Sequence, residues 1–179
     1  MTLTPDQRFA KCFPITESYE GWHEFSLDQY DPGGATYSGM TQRAYDAFRR
    51  QIKMPLQSVR KASDVEIETC FRMDYWDQVS GDLLPGGVDL ILYDCAINNG
   101  PHVAIKFLQE ALHIQVDGLL GLETLGTLQK CMDLAGLIDR IEANRMSFWR
   151  MLTTWWRFGR GWTRRGIGVA NAAKTMIGE

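Results

Sequence analysis

Glu20-Gly21-Trp22, followed by Asp31-Pro32-Gly33-Gly34-Ala35-Thr36-Tyr37-Ser38-Gly39-Met40-Thr41, is the most informative stretch of the chain. Upstream of it, Thr4-Pro5-Asp6-Gln7 reads as a helix start: a Thr cap, proline at the first helical position and Gln where a capping box places it. Phe9, Cys12 and Phe13 give that helix an apolar face. Pro14 is expected to kink or break it, and Thr16 to cap a continuation that ends near Glu20-Gly21. The Asp-Pro-Gly-Gly run is a dense turn signal, and Thr36–Thr41 suits short β segments beside it.

From Gln42 onward the pattern is mostly helical. Val65 to Trp76 carries apolar residues at helical spacing, and Val88 to Ile97 is apolar enough for a buried helix, although periodicity alone leaves a strand open there. Asn98-Asn99-Gly100-Pro101 predicts a turn with proline opening the next helix. Its apolar face is Val103, Ala104, Phe107, Leu108, Ala111 and Leu112. A long helix is expected over residues 134 to 158, and the small, weakly patterned tail after Gly166 is expected to be mobile at its end. The fold class expected is mainly α with a small β element.

The 179 residues suit one domain, or a catalytic domain with a small appended module, and 45% hydrophobic with 23% charged residues excludes a disordered chain. No apolar run has the roughly 18 residues of a membrane helix. The opening MTLTPDQRFAKCF has neither the basic nor the apolar stretch of a secretory signal, so synthesis in the cytoplasm is expected. Cys12, Cys70, Cys95 and Cys131 form no CxxC pair and read as buried free thiols, and the three histidines show no metal spacing. The net charge of −3 hides an asymmetry. Residues 1–144 carry 12 basic and 21 acidic side chains, whereas residues 145–179 carry seven basic side chains against Glu179 alone. Such a cationic, tryptophan-rich end could face an anionic polymer, but a helical stripe is more often structural. The preferred reading makes its arginines a solvated helix face and its aromatics core; nucleic acid is not expected as a partner.

If a helix ends at Gly21, Glu20 sits at the negative end of the helix dipole and between Tyr19 and Trp22. Both effects, the dipole and the aromatic surroundings, disfavour a carboxylate, the condition a general acid needs. Asp31 opens a glycine-rich turn with room for substrate and water. Two carboxylates in unlike environments are the equipment of glycoside hydrolysis, as in lysozyme. Glu17 and Glu24 compete for the acid's role, but neither precedes a glycine. By spacing alone a turn and a helix end explain the same residues.

The segment from Glu20 to Thr41 resembles the opening signature of glycoside hydrolase family 108, in which Glu-Gly-Gly-Tyr precedes Asp-Pro-Gly-Gly and a short strand. Tyr75-Trp76-Asp77, Leu84-Pro85 and the run Asp94 to Gly100 resemble its middle motifs. Lys106-Phe107-Leu108-Gln109, Val116-Asp117-Gly118-Leu119-Leu120-Gly121 and Thr124 resemble its peptidoglycan-binding C-terminal half, and Gly161-Trp162 with Arg164 or Arg165 its closing motif. Trp22 replaces the family's second glycine, and the interval from Glu20 to Asp31 is longer by a residue or two. The resemblance implies a lysozyme-like N-acetylmuramidase of the kind found among phage endolysins, with residues 1–97 catalytic and 98–179 binding peptidoglycan, in one compact domain or two. It implies Glu20 as general acid; Glu20, Asp31 and Thr36 also resemble the Glu-Asp-Thr set of phage-type lysozymes, at a different spacing, which implies that Asp31 and Thr36 position water or steady positive charge. Tyr37, Tyr75, Trp76 and Asn98 are expected to line the sugar cleft, with a core role favoured for Trp76. It implies no cofactor, no metal and no stable membrane insertion, with bacterial peptidoglycan as the partner and a holin as one route of release to the periplasm. A catalytically inactive wall-binding protein is the alternative.

Overall fold

Thr4 caps the first helix as its sequence requires: its hydroxyl accepts the Gln7 N–H at 3.3 Å, and the Gln7 side chain accepts the Thr4 N–H at 2.9 Å. That helix, α1, is Pro5–Glu17. The computed structural model describes residues 3–20, 22–27 and 34–179. Their compact units are two, one formed by Phe13–Asp74 and the other by the residues up to Cys12 with Tyr75–Glu179.

Pro14 does not break α1. It lies exposed in the last turn, where few backbone bonds are at stake, while Phe13 and Thr16 beside it are buried. Thr16 caps nothing; its hydroxyl donates back to the Phe13 carbonyl at 2.9 Å. Within Phe13–Asp74 follow strands β1 (Phe25–Ser26), β2 (Thr36–Tyr37) and β3 (Met40–Thr41), then helices α2 (Gln42–Gln51) and α3 (Asp64–Phe71). The strands form an antiparallel sheet in sequence order, with Phe25 opposite Tyr37 and Thr36 opposite Thr41. Ser38 and Gly39 join β2 to β3 with φ of 49° and 75°, the two positive values of a type I′ hairpin turn. Thr41 ends β3 and caps α2 through a bond from the Ala44 N–H.

The second unit is built on α4 (Val88–Asn99), buried on every side from Val88 to Ala96. This settles the strand-or-helix ambiguity of that run: a helix apolar all round is one enclosed by others. Gly100 and Pro101 then turn the chain into α5 (Pro101–Leu112), as expected. The expected division at 97/98 falls inside α4. Helices α6 (Leu122–Gln129), α7 (Leu134–Arg150) and α8 (Trp155–Thr175) complete the unit. The long helix expected over residues 134 to 158 is thus two helices. Tightened turns from Trp149 to Leu152 and from Leu152 to Trp155 reverse the chain, and Trp149 then stacks on Trp162 with centroids 5.6 Å apart. The tail after Gly166 is not loose: Gly166, Val169, Ala170 and Ala173 are its buried stripe. Their small side chains allow close helix approach, and a pattern of small residues carries little hydropathy signal.

Several buried polar groups of this unit are paired, whereas the Asn99 Oδ1 and one oxygen of Glu142 have no hydrogen-bond partner among the described residues. Arg8 donates to Asp89 at 2.8 Å and to the Asp82 carbonyl at 2.9 Å. Gln109 braces the 117–119 loop, donating to Asp117 and the Leu119 carbonyl and accepting from the Asp117 and Gly118 N–H groups. Arg145 and Arg165, expected on a solvated face, are buried against Asp94. Conversely Trp156, expected in the core, is 84% exposed. Cys12, Cys70 and Cys95 are buried free thiols, and Cys131 is half-buried. Helix makes up 68% of the structure beside the small sheet, so the class is mainly α with a small β element.

Candidate active site

After Glu17 the helix unwinds into tight turns. The Tyr19 N–H bonds the Thr16 carbonyl at 3.0 Å and the Glu20 N–H bonds the Glu17 carbonyl at 2.9 Å. This leaves Glu20 beyond the helix end, half-buried, against the β2–β3 turn. A Cβ on Gly39 would stand 3.0 Å from the Glu20 Cβ and 3.4 Å from its Oε2. Glycine is needed there twice over, for its positive φ and for the room it leaves Glu20.

The turn is tied from the other side as well. Ser38 is buried; its hydroxyl accepts the His23 N–H at 2.8 Å, and its own N–H donates to the Glu24 carbonyl at 3.0 Å. His23 holds a left-handed φ of 60°, uncommon for a residue with a side chain. Its ring lies near Trp22 (5.1 Å between centroids) and stacks on Tyr37 (6.3 Å, 16° between planes). Trp22 in turn meets the Phe13 edge at 5.5 Å. The Nε2 of His23 is 3.1 Å from the carboxylate of Asp64, the first residue of α3, which Ser63 and Glu66 start with a capping box. Burial pushes the Glu17 carboxyl above its ordinary range; His23 opposes this, while Asp64 and Glu68 add to it.

Of the residues singled out from sequence, Glu20, Thr36 and Tyr37 lie in this unit, with Thr36 and Tyr37 both half-buried on β2. Asp31 lies outside the described residues. Tyr75, Trp76 and Asn98 belong to the other unit. Tyr75 is half-buried in the π-helical turn Arg72–Trp76, and Asn98 is exposed on the last turn of α4, its amide donating to the Asp94 carbonyl at 2.9 Å. Trp76 offers no face to a sugar. It is fully buried between Phe9 and Tyr93, its indole N–H donates to Asp82 at 2.8 Å, and Gly81 lies against its ring. Ser38, Gly39, His23 and Asp64 were not singled out. A Ser-Gly pair between two short apolar strands is a usable hairpin signal, but nothing in the sequence joins His23 to Asp64. Among the described residues no group of three or more His, Cys, Asp or Glu side chains is placed to hold a metal ion.

A carboxyl group held at a helix exit over an antiparallel hairpin can deliver a proton to a ligand lying across the sheet. The family model described as glycosyl hydrolase 108 matches residues 13–100, which include Glu20, the hairpin and α4. No curated protein matches the chain. Among solved structures it is similar to Brucella abortus SagA, with 31% identity and a TM-score of 0.81 over 97% of this chain and 98% of that one. The chain therefore belongs to glycosyl hydrolase family 108, with a lysozyme-like fold and the general activity of a peptidoglycan hydrolase.

Proposed function

We propose that the protein is an N-acetylmuramidase of the endolysin type, cutting the β-1,4 bond from N-acetylmuramic acid to N-acetylglucosamine with Glu20 as general acid. The observation that carries this reading is the seat of Glu20 on Gly39, which fixes one carboxyl group at the edge of the hairpin. In the proposed step the Glu20 carboxyl gives its proton to the glycosidic oxygen as the bond from that oxygen to the anomeric carbon breaks. Asp31 and Thr36 position the water or steady the positive charge that develops on the sugar. Tyr37, Tyr75 and Asn98 contact the glycan, aromatic faces against sugar C–H surfaces and the amide against hydroxyl or N-acetyl groups. The reaction so written uses no cofactor.

Residues 98–179 are proposed to add wall binding. A groove of about 460 Å³ lined mostly by residues of this range, among them Pro101, His102, Ile105 and Leu119, supports this assignment. No helix among the described residues is long and apolar enough to cross a membrane. The proposed site of action is the periplasmic wall, reached through a holin, by another export route or by lysis of the cell.

The test is a digest of purified peptidoglycan by the wild type and by Glu20→Gln, with products reduced by borohydride and read by mass spectrometry. Reduced muramic acid ends from the wild type, and a loss of roughly 10²- to 10⁴-fold in the variant, are expected. Cleavage undiminished in Glu20→Gln removes Glu20 from the mechanism. A second reading, a wall-binding protein without catalysis, is favoured by one observation: Trp22 stands where the family has glycine, its ring packed on Phe13. Retention of the wild type on the wall with no cleavage by either form would establish that reading instead.

A further inference from the structure

We infer that the outer face of α8 is a docking surface for an anionic phospholipid bilayer, a property independent of the catalytic reading. From Ala143 to Gly178 the chain contains no acidic residue. Two of the arginines in that span, Arg145 and Arg165, are buried and neutralised by Asp94 and Glu142. Lys174 pairs with Asp139 at 2.8 Å. Arg150, Arg157, Arg160 and Arg164 remain exposed, and among the described residues none of the four has a carboxylate within ion-pair distance. The cationic excess of this end is therefore presented to the outside.

Apolar side chains share that outer surface where the core would be expected to claim them. Trp156 is 84% exposed, Met151 in the preceding turn 77% and Ile167 53%. On a helical wheel Trp156, Arg160, Arg164 and Ile167 fall on the face opposite the buried stripe of Gly166, Val169 and Ala173. Trp155, Trp156, Gly159, Arg160, Thr163 and Arg164 line an open groove of about 500 Å³. Guanidinium groups interleaved with an indole suit the headgroup level of a membrane: the cations meet lipid phosphates while the apolar groups reach the acyl boundary. A nucleic acid would satisfy the arginines and stack on Trp156, but it has no use for Ile167 and Met151, which offer no face to stack on. Lipid accounts for both halves of the surface.

The experiment is co-sedimentation of the full chain with extruded vesicles, phosphatidylglycerol with phosphatidylethanolamine against pure phosphatidylcholine, at low and high salt. Salt-sensitive capture by the anionic vesicles alone is expected. Arg160→Ser with Arg164→Ser should weaken it roughly 30-fold, from about 1 kcal/mol for each cation near the surface. Trp156→Ser and Ile167→Ser should each weaken it severalfold. All four substitutions are at exposed positions, so circular dichroism and melting temperature should match the wild type. Equal capture by both vesicle types, no capture at low salt, or capture unchanged by the substitutions would overturn the proposal. So would duplex or single-stranded DNA binding as tightly as the anionic vesicles and indifferent to Ile167→Ser, which would assign the surface to a nucleic acid.

Discussion

Gly39 joins conformation to function at a single position. Its φ of 75° and the 3.0 Å approach of the Glu20 Cβ act on any replacement together. Gly39→Ala is expected to cost about 1–2 kcal/mol in urea unfolding, from the left-handed backbone alone. It should also push Glu20 aside by a few tenths of an ångström and lower peptidoglycan turnover up to roughly tenfold, since misplacement of a catalytic group is costly. Lost stability with full turnover would mean that Gly39 does not set the Glu20 position. Glu17, the nearest rival as acid, supplies a contrast. Its carboxyl is raised by burial, so folding favours its neutral form and its contribution to stability is present at low pH. That contribution is lost as pH rises through the raised folded value. Glu17→Gln keeps the neutral form at every pH, so its melting temperature should fall less than that of the wild type between pH 4 and 7. Its cleavage pattern should be unchanged; loss of cleavage comparable to that of Glu20→Gln would make Glu17 the acid.

At the scale of elements, helix starts are written in local chemistry and helix ends are not. Thr4, Thr41, Ser63 and Asp133 all cap through their own side chains, and the Asn-Gly-Pro junction between α4 and α5 needs only the conformational limits of glycine and proline. Loss of the Ser63 hydroxyl in Ser63→Ala should therefore cost about 1 kcal/mol in urea unfolding. A near-zero cost would mean that α3 is held by packing and not by its cap. The reversal between α7 and α8 is different. Apolar residues continue at helical spacing through it because each of the two helices has a buried side, and contacts between the helices, the Trp149–Trp162 stack and the Lys174–Asp139 pair, show that the chain has folded back. Glu20 was legible for the opposite reason. Its type, its neighbours and the hairpin ahead of it are all local in sequence, whereas the His23–Asp64 contact spans two elements that no short pattern connects.

At the scale of the whole chain, the charge asymmetry between its two ends is partly consumed inside the larger unit. Asp94 on α4 receives Arg145 of α7 at 2.5 Å and Arg165 of α8 at 2.7 Å, and Arg145 also donates to Glu142 at 2.9 Å. Two cations and two carboxylates thus cancel away from water, with Asp94 and Arg145 wholly enclosed. Gly166 belongs to the same set, because the Glu142 carboxylate occupies the place a Cβ would take. The cluster ties α4 to α7 and α8, whose arginines lie 51 and 71 residues further along the chain, which is why residues beyond Gly166 are ordered despite their weak pattern. Such a set is costly to break and not necessarily costly to replace. Asp94→Asn keeps the shape and removes the charge both arginines face, so it should cost about 3–5 kcal/mol in urea unfolding. Asp94→Leu with Glu142→Gln, Arg145→Met and Arg165→Met removes all four charges of the cluster and should recover most of that loss. A small cost for Asp94→Asn alone, below about 1 kcal/mol, would indicate that water reaches the arginines. The helices would then be held chiefly by the packing of the Gly166–Ala173 stripe.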